Sequence, residues 1–159
     1  LADVTAEKAD LSGALNYLEQ IVTQFPGSPK IPAVMLRQGE LLSEMARADE
    51  AREKYQYILR VPEWRGILHA RALYQIGESY MAEDAYAKAH GFYERTFLGY
   101  PHLAEWSARA YLADAKALIG MGEKQDAINT LNEAVAEISA TAPADILKSI
   151  KAKLKELQG

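Results

Sequence analysis

A single step of 38 residues recurs along the sequence and limits what the chain can fold into. Adding that step to Gly39 gives Gly77 and then Ala115, and it carries Ala51 to Ala89 and on to Ala127. Met35, Leu73 and Tyr111 fall in register, as do Leu42, Tyr80 and Leu118, and Tyr55, Tyr93 and Leu131. An earlier partial copy stands out of step, with Ala14, Leu18 and Pro26 where Ala51, Tyr55 and Pro62 stand later. In the best-marked copy Leu73, Ile76, Gly77 and Tyr80 recur at helical spacing, and Ala89 and Tyr93 open a second amphipathic segment. Gly99, Tyr100 and Pro101 stop it, and Glu83 and Asp84 form the polar corner between the two. Each helix then has an apolar stripe too wide to leave in water and too little partner surface to bury it alone, so neighbouring copies are required. The expected fold is an all-α solenoid without β-sheet.

The columns resemble the tetratricopeptide pattern of Leu-Gly-x-x-Tyr in a first helix, followed by Ala-x-x-x-Phe and Pro in a second. Ile76, Gly77 and Tyr80, then Ala89 and Tyr93, then Pro101 carry the resemblance best. Its physical basis is packing: Gly39, Gly77 and Ala115 let two helices approach, while the large residue one turn later fills the groove between them. The resemblance covers nearly the whole chain and implies a right-handed stack of antiparallel helix pairs with a C-terminal capping helix. The period departs from the family's, at 38 residues against about 34. Lengthened repeats with the phrase Pro26-Gly27-Ser28-Pro29, loosely echoed by Tyr100-Pro101-His102-Leu103, resemble a long-repeat subgroup of bacterial envelope proteins. That subgroup includes the outer-membrane barrel-assembly lipoproteins and the Tol-associated periplasmic coordinator. It implies a periplasmic or outer-membrane-associated location, which the residues themselves leave unknown.

On this reading residues 1–159 form one domain with full repeats at 28–64, 65–102 and 103–140, a partial repeat at 1–27 and a capping helix at 143–158. Beginning at Leu1 in the tail of a first helix, the chain is expected to be a piece of a longer protein, with any lipid anchor outside it. Residues 1–8 should be that remnant, Ala9 and Asp10 a corner, and 11–25 a return helix burying Leu11, Leu15, Leu18, Ile21 and Val22. Pro32 suits the first turn of a helix over 31–45, where its missing N–H is harmless. Asp49 is a candidate cap. Helices follow over 103–121, with Gly120 and Gly122 as the stop, and over 124–138. The last helix, 144–157, aligns Ile146, Leu147, Ile150, Leu154 and Leu157, and Lys148, Lys151, Lys153 and Lys155 cover the rest; this suits a cap, a basic surface for an acidic partner or an anionic membrane, or a repeat that continues in a longer protein. Trp64 and Trp106 are out of register with each other and read as staples on the turn that follows each, or as interface anchors.

The composition excludes several functions. A net charge of −4 opposes duplex nucleic-acid binding, which needs a dense basic face to displace counterions. Without cysteine there is no thiolate nucleophile, disulfide frame or Cys-based zinc site. No apolar run approaches the ~20 residues that span a bilayer. His69, His90 and His102 lack the spacing that puts two metal ligands on one helix face. Glu40 and Glu78 share a column, and a carboxylate pair can serve acid–base hydrolysis, yet nothing builds a sugar site around them and solvated groove positions account for both. Phosphate loop, serine elbow and dinucleotide fingerprint are missing. The expectation is no enzyme, no metal and no cofactor, with a protein or peptide as partner. The rival readings are a regulatory or targeting appendage of an enzyme whose catalytic domain lies elsewhere, and a self-associating spacer; the residues do not fix the oligomeric state.

The family resemblance also implies a site, because the first helix of each tetratricopeptide pair lines the groove. In this register the groove columns are Leu36, Tyr74 and Leu112, then Glu40, Glu78 and Lys116, then Ser43, Met81 and Ile119, with Arg71 and Arg109 at the rim. Carboxylate-clamping members of the family place Lys, Asn and Arg there. Apolar residues and glutamates replace them here, which points to an internal or helical segment lying along Leu36, Tyr74, Met81 and Leu112, with its positive charges meeting Glu40 and Glu78. The register makes a stability prediction: Ala89→Leu overpacks the helix pair and lowers stability by about 1–3 kcal/mol. An unchanged melting temperature would contradict the register.

Overall fold

Proline and glycine phrases punctuate a chain that is otherwise helical. In the computed structural model the backbone is described for residues 2–159 and the side chains for residues 10–159. The helices are α1 (Ala2–Gln24), α2 (Ile31–Glu44), α3 (Ala48–Leu59), α4 (Ile67–Met81), α5 (Tyr86–Gly99), α6 (Ala104–Met121), α7 (Lys124–Ile138) and α8 (Ala144–Gln158). A 3₁₀ turn, Pro62–Trp64, follows α3, and no strand occurs among the described residues. The fold divides within α4 into two compact units, Leu1–Ala72 and Leu73–Gly159.

In the first unit α2 packs between α1 and α3. Its core contains Leu15, Leu36, Leu41, Leu42, Tyr55 and Ile58. Gly39 is what brings α2 and α3 together: a Cβ at this position would overlap the Tyr55 ring. The expected corner at Ala9 and Asp10 does not form, because α1 runs through both. Neither residue breaks a helix, and no proline lies between Ala2 and Gln24. Pro32 sits in the first turn of α2, as expected. Asp49 is not a cap. It lies inside the first turn of α3, where a negative charge suits the helix dipole, and it pairs with the guanidinium of Arg52.

The second unit repeats the close approach. A Cβ on Gly77 would stand 2.5 Å from Cε1 of Tyr93, so the ring facing the glycine is that of Tyr93 on the return helix. Tyr80, one turn beyond the glycine and expected to fill the groove between the two helices, stacks on Phe92 of α5 at 5.7 Å. α6 packs against α5, α7 and α8, which its buried Ala108, Ala110, Ala113, Ala115 and Ala117 permit. Small side chains on several faces let neighbouring helices close in from more than one direction. α8 buries Ile146 and Ile150, rests Leu154 and Leu157 against the core, and exposes Lys148, Lys151 and Lys155. Its apolar face thus covers the core of this unit, and its lysines face outward.

Both tryptophans meet an aromatic ring of an earlier helix. Trp64 packs back on Tyr57 of α3 at 5.9 Å, and Trp106 meets Tyr74 of α4 at 5.7 Å. Gly120 does not end α6 either; the helix continues to Met121, and a Cβ on Gly120 would meet the Tyr86 ring at 2.7 Å.

The corners themselves follow the 38-residue step. Ala46, Asp84 and Gly122 occupy one column, and all have positive φ, at 59°, 55° and 84°. In each, the following amide reaches back five residues: Arg47 to the Leu42 carbonyl, Ala85 to Tyr80 and Glu123 to Leu118, at 2.8–2.9 Å. This satisfies carbonyls that the helix end leaves open. Only the last corner has the residue best suited to left-handed backbone. Aspartate tolerates that region better than alanine does, so Ala46 is the most strained of the three. Ala46→Gly should therefore raise unfolding stability and Gly122→Ala lower it, each by about 1 kcal/mol. Chemical denaturation of both variants checks this, and a change of the same sign in the two would contradict it.

Candidate functional site

α4, α6 and α8 present side chains to one cleft of about 430 Å³ in the second unit. From α4 come Tyr74, Glu78 and Met81, one helical turn apart. From α6 come Arg109, Leu112 and Lys116 at the same spacing. Three- and four-residue steps put each trio on one helix face. Tyr93 and Ala113 contribute from the packed interior, and α8 adds Asp145, Ile146 and Ser149.

One wall is aromatic. The Tyr74 ring lies 5.7 Å from both Tyr93 and Trp106, and the Arg109 guanidinium stands over Trp106 at 5.6 Å. Tyr93 donates its hydroxyl proton to Glu78 Oε1 at 2.5 Å. Burial, followed by the Glu78 carboxylate, raises the Tyr74 phenol above its ordinary pKa; the same two causes act on Tyr93. Both phenols therefore stay protonated as donors. Arg109 is also held by Glu105 at 2.9 Å. The cleft thus offers an aromatic and aliphatic surface flanked by carboxylates from Glu78 and Asp145 and cations from Arg109 and Lys116.

Six of the residues read from the groove columns, Tyr74, Glu78, Met81, Arg109, Leu112 and Lys116, meet in this cleft. Ile119 packs against the core of the same unit and does not line the cleft. Leu36, Glu40, Ser43 and Arg71 belong to the first unit. There Leu36 is only 2% exposed, so its side chain is committed to packing and has no free surface for a ligand. Glu40 is also engaged, with Arg71 at 2.7 Å and Arg37 at 3.2 Å, which neutralises the charge expected to meet a basic ligand. Ser43 is exposed beside the Tyr55 hydroxyl at 3.4 Å. The α8 contribution to this cleft was absent from the sequence reading, where that helix served as a cap or as a basic surface. Asp145 and Ser149, four residues apart on α8, were the available signal.

A second polar arrangement joins α5 to α6. Asp114 is fully buried, and its Oδ1 lies 2.7 Å from His90 Nδ1. Its Oδ2 is buried with no hydrogen-bond partner. Glu94, also on α5, faces His90 Nε2 at 3.6 Å. Burial pushes the Asp114 carboxyl up to about 6, an effect that the His90 hydrogen bond partly offsets. His69 is likewise buried, within 3.1 Å of the Val61 carbonyl, whereas His102 is exposed. Among the described residues no His, Asp and Glu group could hold a metal, and no helix is long and apolar enough to cross a membrane.

No family model matches the sequence, and no curated protein matches it. A solved structure described as "MamA RS-1 ArsTM double mutant" resembles the chain with a TM-score of 0.61 at 18% identity, over 93% of this chain and 85% of that one. The fold is a tetratricopeptide-like helical repeat. At that identity the likeness carries the fold alone.

The Asp114 geometry makes a pH prediction. Below the ordinary carboxyl value both folded and unfolded chains hold the proton. Between about 4 and 6 the folded chain keeps a proton that the unfolded one has lost, so this group's contribution to stability falls as pH rises through that window. Relative to Asp114→Asn, which does not titrate, the native chain should lose about 1–3 kcal/mol between pH 4 and 7. Urea unfolding at both values measures the difference, and a gap that does not change with pH would refute the assignment.

Proposed function

We propose that the protein is a non-catalytic protein-interaction scaffold and that the cleft between α4, α6 and α8 takes an internal or helical segment of a partner. The observation that carries this reading is the convergence of Tyr74, Glu78, Met81, Arg109, Leu112 and Lys116 on one cleft. Side chains chosen by column position supply aromatic area, aliphatic area and both signs of charge there. Tyrosine and arginine, enriched at binding hot spots, stand beside Trp106. A terminal carboxylate is not the expected ligand, because Glu78 and Asp145 would repel it where the clamping relatives place cations. A helical segment with an apolar ridge and basic flanks complements the cleft.

The reading extends to the organisation of the chain, as full repeats over 28–64, 65–102 and 103–140 after a partial one, closed by the last helix. The Pro26-Gly27-Ser28-Pro29 phrase supports the further proposal that the scaffold serves an assembly in a bacterial envelope. Selection of binders from a displayed peptide library tests the cleft. Selected segments should be amphipathic and basic, and Asp145→Lys should weaken them by about 1–2 kcal/mol. Tyr74→Ala should weaken them similarly, with some loss of thermal stability, because its ring also packs on Tyr93 and Trp106. Binders indifferent to both substitutions, yet lost on altering exposed positions of α5 or α7, would overturn the groove assignment.

A further inference from the structure

Where α5 ends and α6 and α7 pass, the second unit contains another cleft, of about 200 Å³, which shares no lining residue with the first. Its inner wall is the Phe97 and Tyr111 ring pair, stacked at 4.0 Å. Exposed Leu98 stands at its mouth. On α7, Glu133 and Glu137 are one turn apart and both line it. Glu133 accepts a hydrogen bond from the Tyr111 hydroxyl at 3.0 Å, and neither carboxylate has a cationic partner among the described residues. Both act on Tyr111, whose phenol is raised first by burial, then by the Glu133 hydrogen bond and the fields of the two glutamates.

Ser107 supplies an independent observation. It lines the same cleft and is fully buried, and its Oγ has no hydrogen-bond partner. A buried hydroxyl left unpaired is costly and calls for an explanation. The repeat shows what is different here. One 38-residue step earlier the column holds His69, a larger side chain whose ring reaches the Val61 carbonyl at 3.1 Å. Serine cannot fill that volume or span that distance. The same step takes Glu133 back to Arg95 and Tyr57, and Glu137 back to Gly99 and Val61. Neither glutamate is therefore required by the repeat.

From this geometry we infer that the cleft bounded by Ser107, Tyr111, Glu133 and Glu137 is a second partner-binding site, which receives an arginine side chain from a protein segment. A guanidinium offers several N–H donors in a planar fork. It can serve Glu133 and Glu137 while pointing one donor at the Ser107 hydroxyl, and its aliphatic stem lies along Leu98 and the ring pair. The volume is below the 300–1,000 Å³ usual for small-molecule pockets, which favours one inserted side chain over a larger ligand.

The test is a titration of the ¹⁵N-labelled protein with N-acetyl-arginine methylamide, its neutral citrulline counterpart, and methylguanidinium. The arginine compound should shift the amides of Ser107, Tyr111, Glu133 and Glu137 and leave those of Lys116 and Asp145 in place. The double variant Glu133→Gln, Glu137→Gln should bind it about tenfold more weakly. Ser107→His, which restores the imidazole of the preceding repeat, should close the cleft and abolish the shifts. Equal binding of the citrulline compound, or unchanged affinity in the glutamine double variant, would overturn the site. Methylguanidinium binding as tightly as the arginine compound would assign the cleft to a small free cation and overturn the protein partner. Because the two clefts share no lining residue, failure here leaves the α4–α6–α8 reading standing.

Discussion

The close approach of α2 to α3, and of α4 to α5, depends on a missing Cβ. At Gly39 and at Gly77 the space a methyl group would occupy is taken by a tyrosine ring from the return helix, Tyr55 or Tyr93. Both rings are completely buried. Interiors packed to crystal-like density leave no slack for an added carbon at such points. The third pair keeps the columns and changes both members, Ala115 gaining a carbon where Leu131 replaces the ring. Both remain buried. A larger residue on one helix is matched by a smaller one on the other, as volume-conserving exchange in a core requires.

This packing also sets up the site. Tyr93 fills the space over Gly77 with its ring and uses its hydroxyl to hold Glu78, the residue next along α4. One side chain therefore determines how near α5 lies to α4 and which way a cleft carboxylate is turned. α6 is the other shared element. Its alanines admit α5, α7 and α8, and between them Arg109, Leu112 and Lys116 face one cleft while Ser107 and Tyr111 face another. A helix of small core residues leaves its large side chains for two separate surfaces.

Polar groups in the interior mark where individual repeats depart from the common pattern. Gln38, Ile76 and Asp114 share a column, and all are buried. Isoleucine is the residue that packing alone favours. Among the described residues Gln38 Oε1 and Asp114 Oδ2 are left without hydrogen-bond partners, and Asp114 Oδ1 meets His90. Such groups lower stability relative to an apolar residue of similar size. In the Asp114 case the cost varies with pH, since the protonated acid is the form its surroundings favour.

Much of the fold was legible in the sequence because a repeat states its packing several times. Columns of Gly, Ala and large apolar residues fixed helix pairs, the ends of α2, α6 and α7 to within a residue, and the faces holding Tyr74, Glu78, Met81, Arg109, Leu112 and Lys116. Periodicity assigns a side chain to a helix face, and that is a local property. What it could not decide was which neighbour that face meets. The ring over Gly77 was that of Tyr93, Trp64 met Tyr57 and Trp106 met Tyr74, and Leu36 and Glu40 were used up by packing and by Arg71. α8 supplied Asp145 and Ser149 to one cleft, and Ser107 lined another where the preceding repeat has a buried His69. Each depends on residues distant in sequence arriving at one place, and only the tertiary structure brings them there.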